Sequence, residues 1–375
     1  MIATTIIISL AYFSLIFFFI LGFHRIKENK SLKSTESTNF SIVIPFRNEA
    51  ENLSGLLKSI SLLDYPKNKF EIILVNDDSN DDSVKIIENF KTQNPKLDMS
   101  IINRQQNSNS PKKDAIELAI KKSKFDWVIT TDADCVLPLK WLEILSEFIR
   151  TKKPKMVVMP VLYEYQNNFF TNFQILELLS LQGATMGGFG IDKPFLCNGA
   201  NLCYEKKCFL ELEGFSGNDN IGSGDDIFML EKMLVKHPTK VKYLKSKGVI
   251  VKTKVEKKFS DMVNQRIRWA SKTTSYNNTF GKLVGLTVLL MNFWLILLLV
   301  FAIFKIISWQ QIAYVFFIKF IIDFLLLYPT SVFYQQQKIL KSYPLISFLY
   351  PFFNVYVAIL SFRKSYDWKG RTFSK

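Results

Sequence analysis

The chain has 375 residues, 48% of them hydrophobic and 34 of them phenylalanine, yet 48 Lys plus Arg face 33 Asp plus Glu, for a formal net charge of +15. This composition excludes a disordered chain, a collagen-like chain and a small disulfide scaffold. A soluble basic protein is seldom so rich in Phe, and a purely embedded one seldom carries 22% charged residues, so the two properties are expected in different stretches.

In chain order, the apolar run from Met1 to Phe23 carries no charged side chain. At about 1.5 Å per residue it is long enough to cross the roughly 30 Å hydrocarbon core as a helix. It has no basic leader or small-residue cleavage site, and Arg25, Lys27, Lys30 and Lys33 follow it. An uncleaved anchor with its N-terminus outside and its basic flank in the cytoplasm is expected.

From about Asn39 the pattern becomes that of an α/β domain. FSIVIPF reads as a strand and RNEAENLSGLLKSISLL as a helix, with Leu53, Leu56, Leu57 and Ile60 at helical spacing. FEIILVNDDS, MSIINR and FDWVITTDADC read as further strands, separated by the helical SVKIIENF and KKDAIELAIKKS. Repeated alternation predicts a mostly parallel sheet, with ligands bound beyond the carboxyl ends of its strands. Two acidic clusters, Asn76-Asp77-Asp78 and Asp132-Ala133-Asp134, fall at such ends.

The chemistry narrows further through what is scarce. Histidine occurs only at His24 and His237, so acids and bases are expected to be carboxylates. Cys135, Cys197, Cys203 and Cys208 form no CxxC pair, and reduced thiols in a cytosolic domain are expected. No glycine-rich phosphate cradle follows a strand. Carboxylates repel a diphosphate unless a divalent cation lies between them. Asp132 and Asp134, on one face of an extended chain, are placed to reach one such ion, Mg²⁺ or Mn²⁺.

Downstream, GSGDDIFMLEKM puts Asp225 and Asp226 ahead of a helix. Gln265, Arg268 and Trp269 of QRIRW are spaced i, i+3, i+4 on one face of an amphipathic helix at the membrane surface. Lysines are dense between Lys236 and Lys258. No aromatic interleaving or reader motif accompanies them, so contact with anionic lipid headgroups is expected and nucleic acid is not. Three apolar segments follow: Leu283 to Phe304, Ile312 to Tyr334 with Lys319 and Asp323 spaced to pair, and Tyr343 to Phe362, interrupted by Pro344 and Pro351. The basic tail RKSYDWKGR favours the cytoplasm. Three full crossings would put it outside, so either the rule fails or the last segment does not fully cross.

Together these motifs resemble the family 2 glycosyltransferases of GT-A fold. More narrowly they resemble the membrane-integrated branch that includes ceramide glucosyltransferase, hyaluronan synthase and cellulose synthase. The resemblance spans roughly Phe40 to Thr274. It implies that Pro45, Arg47, Asn48 and Glu49 of IVIPFRNEAENL border the nucleotide. VNDDSNDDS is similar to VDDGSTDGS, which implies that Asp77, with Asp78 beside it, binds the uracil or ribose; Asn76 replaces the usual first Asp and Asp78 a Gly. Lys112 would approach the donor. Asp134 would contact the metal, with Asp132 on the nucleotide-sugar side. Asn198, Gly199 and Asn201 would line the acceptor and donor sugar. Asp226 matches the catalytic base, Asp225 takes the Glu position ahead of it, and QRIRW matches QxxRW, with Arg268 for the diphosphate and Trp269 for the acceptor.

The expected organisation is an anchor at 1–23, a GT-A catalytic domain at 39–256, an interfacial helix at 257–281, membrane segments at 282–362 and a basic tail at 363–375. The expected activity is inverting transfer from a UDP-linked sugar to a membrane lipid or glycolipid, at the cytoplasmic face of the cell membrane. A processive polysaccharide synthase remains open. A nucleotidyltransferase would show a glycine-rich, lysine-bearing loop where FRNEAENL stands, and a non-catalytic scaffold would tolerate loss of Asp134 and Asp226.

Overall fold

The computed structural model describes residues 1–29, 37–218, 221–272, 275–363, 366–369 and 371–373. Lys30 and Lys33 of the basic flank, and residues 364, 365, 370, 374 and 375 of the tail, lie outside the described residues.

The first four strands are β1 (Phe40–Phe46), β2 (Phe70–Asn76), β3 (Asp98–Asn103) and β4 (Trp127–Thr130). They run parallel in the order β3-β2-β1-β4. β1 and β2 are buried on both faces, as continuous apolar runs in a parallel sheet should be. Phe46 is level with Asn76, and Asn76 with Asn103, so the loops that follow these strands emerge along one edge.

The sheet continues through β7 (Leu202–Glu205), β5 (Met156–Val158) and β8 (Val241–Tyr243). β7 is antiparallel to both β4 and β5. Because Leu202 lies opposite Thr130, the segment before β7 reaches the edge at which β4 ends. A parallel pair, β6 (Val161–Tyr163) with β9 (Val251–Thr253), lies beside this edge.

Alternation along β1 separates two cores. Phe40, Ile42 and Ile44 pack with Leu53, Leu56 and Leu57 of α2 (Ala50–Ser61) and with Trp141 and Leu145 of α5 (Trp141–Lys152). Val43 faces the other side, with Ala115 and Ile116 of α4 (Pro111–Lys122), in a core continuous with the apolar helices. Four helices are long and apolar enough to cross a membrane: α1 (Ile2–Arg25), α10 (Thr279–Ile303), α11 (Trp309–Phe333) and the segment Gln337–Phe362, which includes α12 (Tyr343–Arg363). Lys319 and Asp323 of α11 pair as their spacing predicts, at 2.5 Å, and Tyr12 of α1 donates its hydroxyl to Asp323 at 2.7 Å.

A fifth long helix, α6 (Phe169–Gly190), joins β6 to β7 and is absent from the sequence reading. Its buried residues surround it, so it carries no amphipathic stripe to betray it. It packs backbone to backbone on α1. A methyl at Gly22 would lie 2.0 Å from the carbonyl oxygen of Gly187, and one at Gly190 would lie 1.9 Å from that of Gly22. Small residues at such a crossing are a hallmark of helix packing in membranes.

The ends of the last helix both touch the sheet domain and its extensions. Ser342, just before α12, accepts a hydrogen bond at 3.0 Å from Asn172 at the start of α6. Beyond α12, β10 (Tyr366–Trp368) and β11 (Arg371–Phe373) form an antiparallel hairpin whose Arg371 reaches Asp77, after the end of β2.

Gly187→Val should force α1 and α6 apart and cost about 1–3 kcal/mol of stability as overpacking. Thermal denaturation in detergent checks this, with Gly55→Ala as the control. A methyl at Gly55 meets nothing within 4 Å, and this change in a helix interior should be neutral or stabilising.

Candidate active site

A cavity of about 810 Å³ opens at the edge where β1, β2 and β4 end. At the end expected to take a nucleotide, Pro45, Arg47, Glu49 and Asp77 line the wall. The Asp77 amide donates to Phe46 O at 2.9 Å, and its carboxylate is buried between Arg104 and Arg371. Arg47 donates to the carbonyls of Asp77 and Asp78 at 2.7 and 3.0 Å, fastening the two loops together.

Two residues expected at this end are not in the wall. Asn48 and Asp78 both hold left-handed backbone, at φ +52° and +54°. The Asn48 side chain accepts from the Asn80 amide at 2.8 Å, and the exposed Asp78 carboxylate meets Arg104 and Arg371 at 3.3 Å. Their work is loop closure. Arg104, at the end of β3, escaped the sequence reading because nothing local marks it. Asn76, in place of the usual Asp, accepts from the Ser79 amide at 3.0 Å and shapes the same loop.

Asp132 and Asp134 both line the cavity, but not from an extended chain. Cys135 N donates to Asp132 O at 3.2 Å, so the segment is a turn. Lys112 sits 2.8 Å from Asp132 and 3.4 Å from Asp225. Burial opposes its charge, but Asp132 and Asp225 outweigh burial and raise the Lys112 pKa. Asp134 is held by the Thr253 hydroxyl at 2.9 Å. Burial, then the charges of Asp132 and Glu49, push its carboxyl up to about 6. A buried carboxylate so poorly compensated, among hard oxygen donors, fits a divalent cation such as Mg²⁺ or Mn²⁺.

Asp225 and Asp226 open α8 (Asp225–Lys236). The residue before them, Gly224, holds φ +86°, which a side chain would strain. Burial would raise the Asp225 pKa, but Lys112, Lys272 and Lys113 together lower it. Asp226 moves the other way: burial raises its pKa, and the Asp225 charge raises it further. Its oxygens accept from the amides of Gly199 at 3.1 Å and Ile227 at 2.8 Å. Lys272, not singled out by the sequence, also lines the cavity, and burial brings its ammonium down to about 8. Two adjacent carboxyls pushed apart in this way are suited to different roles.

Asn198 and Gly199 line the cavity, and Asn201 does not. The Asn201 side chain is fully buried, donating to Pro160 O and Val249 O at 2.8 Å and accepting from Trp141 Nε1 at 3.0 Å, so it is a structural clamp.

Helix α9 (Phe259–Ala270) brings Gln265, Arg268 and Trp269 to the wall. Gln265 donates to Glu256 at 2.8 Å and accepts from the Tyr163 hydroxyl at 3.2 Å. Arg268 donates to Ser223 Oγ at 3.4 Å, just ahead of the Asp225-Asp226 pair. The intervening Arg266 was missed, although it fixes the helix. It is buried against Glu177 of α6, with Nη2 to Oε2 at 2.7 Å, and its guanidinium lies 4.3 Å from the Trp269 ring centroid. The apolar helices complete the wall with Leu178 and Leu181 of α6, Val284 and Val288 of α10, and Phe353 and Val357 of α12, beside the polar Glu177, Gln182 and Asn354.

This arrangement can be set beside known proteins. Residues 41–208 match Glycosyl transferase family 2, and residues 127–334, more than half of the chain, match Glycosyl transferase family group 2. The chain is a family 2 glycosyltransferase. Among curated relatives, it is 30% identical over 148 residues to glycosyltransferase AglE of Haloferax volcanii, covering 37% of this chain and 47% of that one. It is 31% identical over 126 residues to the poly-beta-1,6-N-acetyl-D-glucosamine synthase of Staphylococcus epidermidis, covering 33% of this chain and 29% of that one. The matches thus span less than half the length of these relatives. The mannosyltransferase PcManGT from Pyrobaculum calidifontis, solved in complex with GDP-Man and Mn²⁺, shares the fold at a TM-score of 0.58 and 14% identity, over 96% of this chain and 98% of that one.

In this glycosyltransferase Glu177→Ala should strand the Arg266 charge inside the protein. Removing one partner of a buried pair costs about 3–5 kcal/mol. Thermal denaturation in detergent measures the loss, and the double variant Glu177→Leu, Arg266→Met should recover most of it.

Proposed function

We propose that this transferase is membrane-anchored and inverting, and that it moves a sugar from a nucleotide-diphosphate donor, UDP-linked, to a hydroxyl of a membrane lipid or glycolipid. The single observation that carries this reading is the composition of the cavity. Its carboxylates and the apolar residues of α6, α10 and α12 line one continuous space. A polar reacting centre above an apolar wall suits an acceptor with a hydroxyl head and a hydrocarbon body.

Asp226 would take the proton of the acceptor hydroxyl, since its raised pKa makes it the better base of the pair. Arg268, on the wall beside Ser223, would bind the departing diphosphate. Gln265 would hold the helix that carries Arg268 and Trp269 in register, and Trp269 would offer its face to the acceptor. Pro45, Arg47, Glu49 and Asp77 would hold the nucleotide, with Lys112 orienting Asp132. A divalent cation at Asp134 and Asp132, Mg²⁺ or Mn²⁺, would neutralise diphosphate charge. That PcManGT was solved with GDP-Man and Mn²⁺ supports a nucleotide-sugar and metal reading.

The similarity to a poly-N-acetylglucosamine synthase favours a second reading, a processive synthase. Product length separates the two: single-sugar products on extracted lipid support the first, and long polymer the second.

For orientation, we infer a multi-pass protein of the cytoplasmic membrane with its catalytic domain in the cytoplasm. Arg25 and Lys27 after α1 support that side. The contacts of Ser342 and Arg371, before and after α12, support α1, α10 and α11 as the crossings, with α12 lying along the interface. On this reading the basic tail stays cytoplasmic.

A screen of nucleotide sugars on membranes, with and without Mn²⁺, tests the assignment. Asp226→Asn should lower turnover by about 10²–10⁴-fold, the usual contribution of a general base. Asp134→Ala should remove the Mn²⁺ dependence along with most activity. Unimpaired turnover in both variants would sink the site.

The pH profile supplies an independent check. Asp226 must be unprotonated to act, so turnover is full above its raised pKa and falls as pH drops through it. The acid limb of the wild-type profile should therefore lie above the ordinary aspartate range of about 4.

A further inference from the structure

The C-terminal hairpin carries two cations back to the nucleotide end of the cavity, across 294 positions of sequence. Arg371 lies 2.7 Å from Asp77 Oδ2 and 3.3 Å from Asp78 Oδ2. Lys369 lies 2.7 Å from Glu49 Oε1, and its carbonyl accepts from Arg47 Nε at 3.2 Å. Lys369 is itself part of the cavity wall, together with Arg47, Glu49, Asp77, Asp132 and Asp134.

Three features set this contact apart from an ordinary surface pairing. Both cations are partly exposed, at 31% and 26%, so the pairs alone hold the hairpin only weakly. The acids they meet are those expected to border the donor. Glu49, the acid that Lys369 meets, lines the same cavity as Asp132 and Asp134. At this end the described wall offers Arg47, Lys112 and Lys254 against Glu49, Asp77, Asp132 and Asp134, so without the tail a diphosphate would meet one more carboxylate than cation.

We propose that Lys369 is a donor-binding residue whose ammonium contacts the diphosphate of the nucleotide sugar, and that Arg371 is a positioning residue that ties the hairpin to Asp77. The proposal rests on the nucleotide-diphosphate donor argued above. A lysine suits the task as a compact charge on a flexible stem, able to share itself between Glu49 and a phosphate oxygen. Arg371 suits the other, since its planar fork spans two carboxylates. The donor site is then completed by the chain beyond the last apolar helix.

The test uses the full-length protein in detergent with Mn²⁺. Calorimetric titration with UDP, GDP and dTDP is followed by titration of the matching monophosphate. Lys369→Ala should weaken the diphosphate about tenfold, or about 1.4 kcal/mol, and leave the monophosphate within about twofold. Lys369→Arg should keep most of the diphosphate affinity. Arg371→Ala should weaken both ligands, and Arg371→Lys should restore part of each. Melting temperatures of the variants should match the wild type.

Unchanged diphosphate binding in Lys369→Ala overturns the proposal. Tighter binding overturns it too, and marks the hairpin as a plug that competes with the donor. A wild type that binds none of the three nucleotides overturns the donor reading, and the proposal with it.

Discussion

One ammonium, on Lys112, organises the carboxylates of the site. Asp132, Asp134, Asp225 and Asp226 reach the same cavity from the turn after β4 and from the start of α8. Lys112 lies between Asp132 and Asp225, taking one acid from each pair. The remaining two, Asp134 and Asp226, form no ion pair with Lys112; they are half-buried, accept hydrogen bonds from Thr253 and from the amides of Gly199 and Ile227, and both have raised pKa values. That asymmetry divides the labour. On the proposed mechanism, Asp134 is left to take a cation and Asp226 a proton, while their neighbours hold the frame. Moving Lys112 would then disturb both proposed roles at once.

The membrane-facing half of the fold exists to hold the other wall. Helix α6 meets α1 through Gly22, Gly187 and Gly190, close enough that no side chain fits between. Its Glu177 then receives Arg266, buried on both sides, and this pair fixes α9. Trp269 stacks on the same guanidinium, and Arg268 follows on the adjoining face. The apolar helices, the ion pair and the reactive wall form one mechanical series. A change at the α1 crossing reaches the site through α6 rather than through the sheet.

Much of this was legible in the sequence, for stated physical reasons. Parallel strands buried on both faces read as continuous apolar runs, so β1 and β2 stood out, and acids at strand ends stood out against them. The Lys319–Asp323 pair followed from helical spacing alone. Other parts had no local signal. Helix α6 is buried all round and mimics no amphipathic pattern. Lys272, Arg104 and Arg266 matter because of partners distant in sequence. The acids at 132 and 134 looked extended, yet a single turn hydrogen bond from Cys135 N folds them. Asn48, Asp78 and Asn201 occupy motif positions, but their side chains close loops or clamp backbone instead of facing the cavity.

The net charge of +15 conceals how unevenly charge is placed. The edge of the sheet is acidic because loops after β1, β2 and β4 all end in carboxylates. The proposed phosphate-bearing donor would need cations there, and among the described residues the sheet and its loops supply Arg47, Arg104, Lys112 and Lys254. The rest come from segments attached to the apolar helices: Lys272 between α9 and α10, Arg268 on α9, and Lys369 and Arg371 after α12. On the proposed reading, donor recognition is thereby coupled to the packing of the apolar helices, since each of those cations is in place only when its helix is. A sheet domain freed from its helices would keep its acids and lose Lys272, Arg268, Lys369 and Arg371.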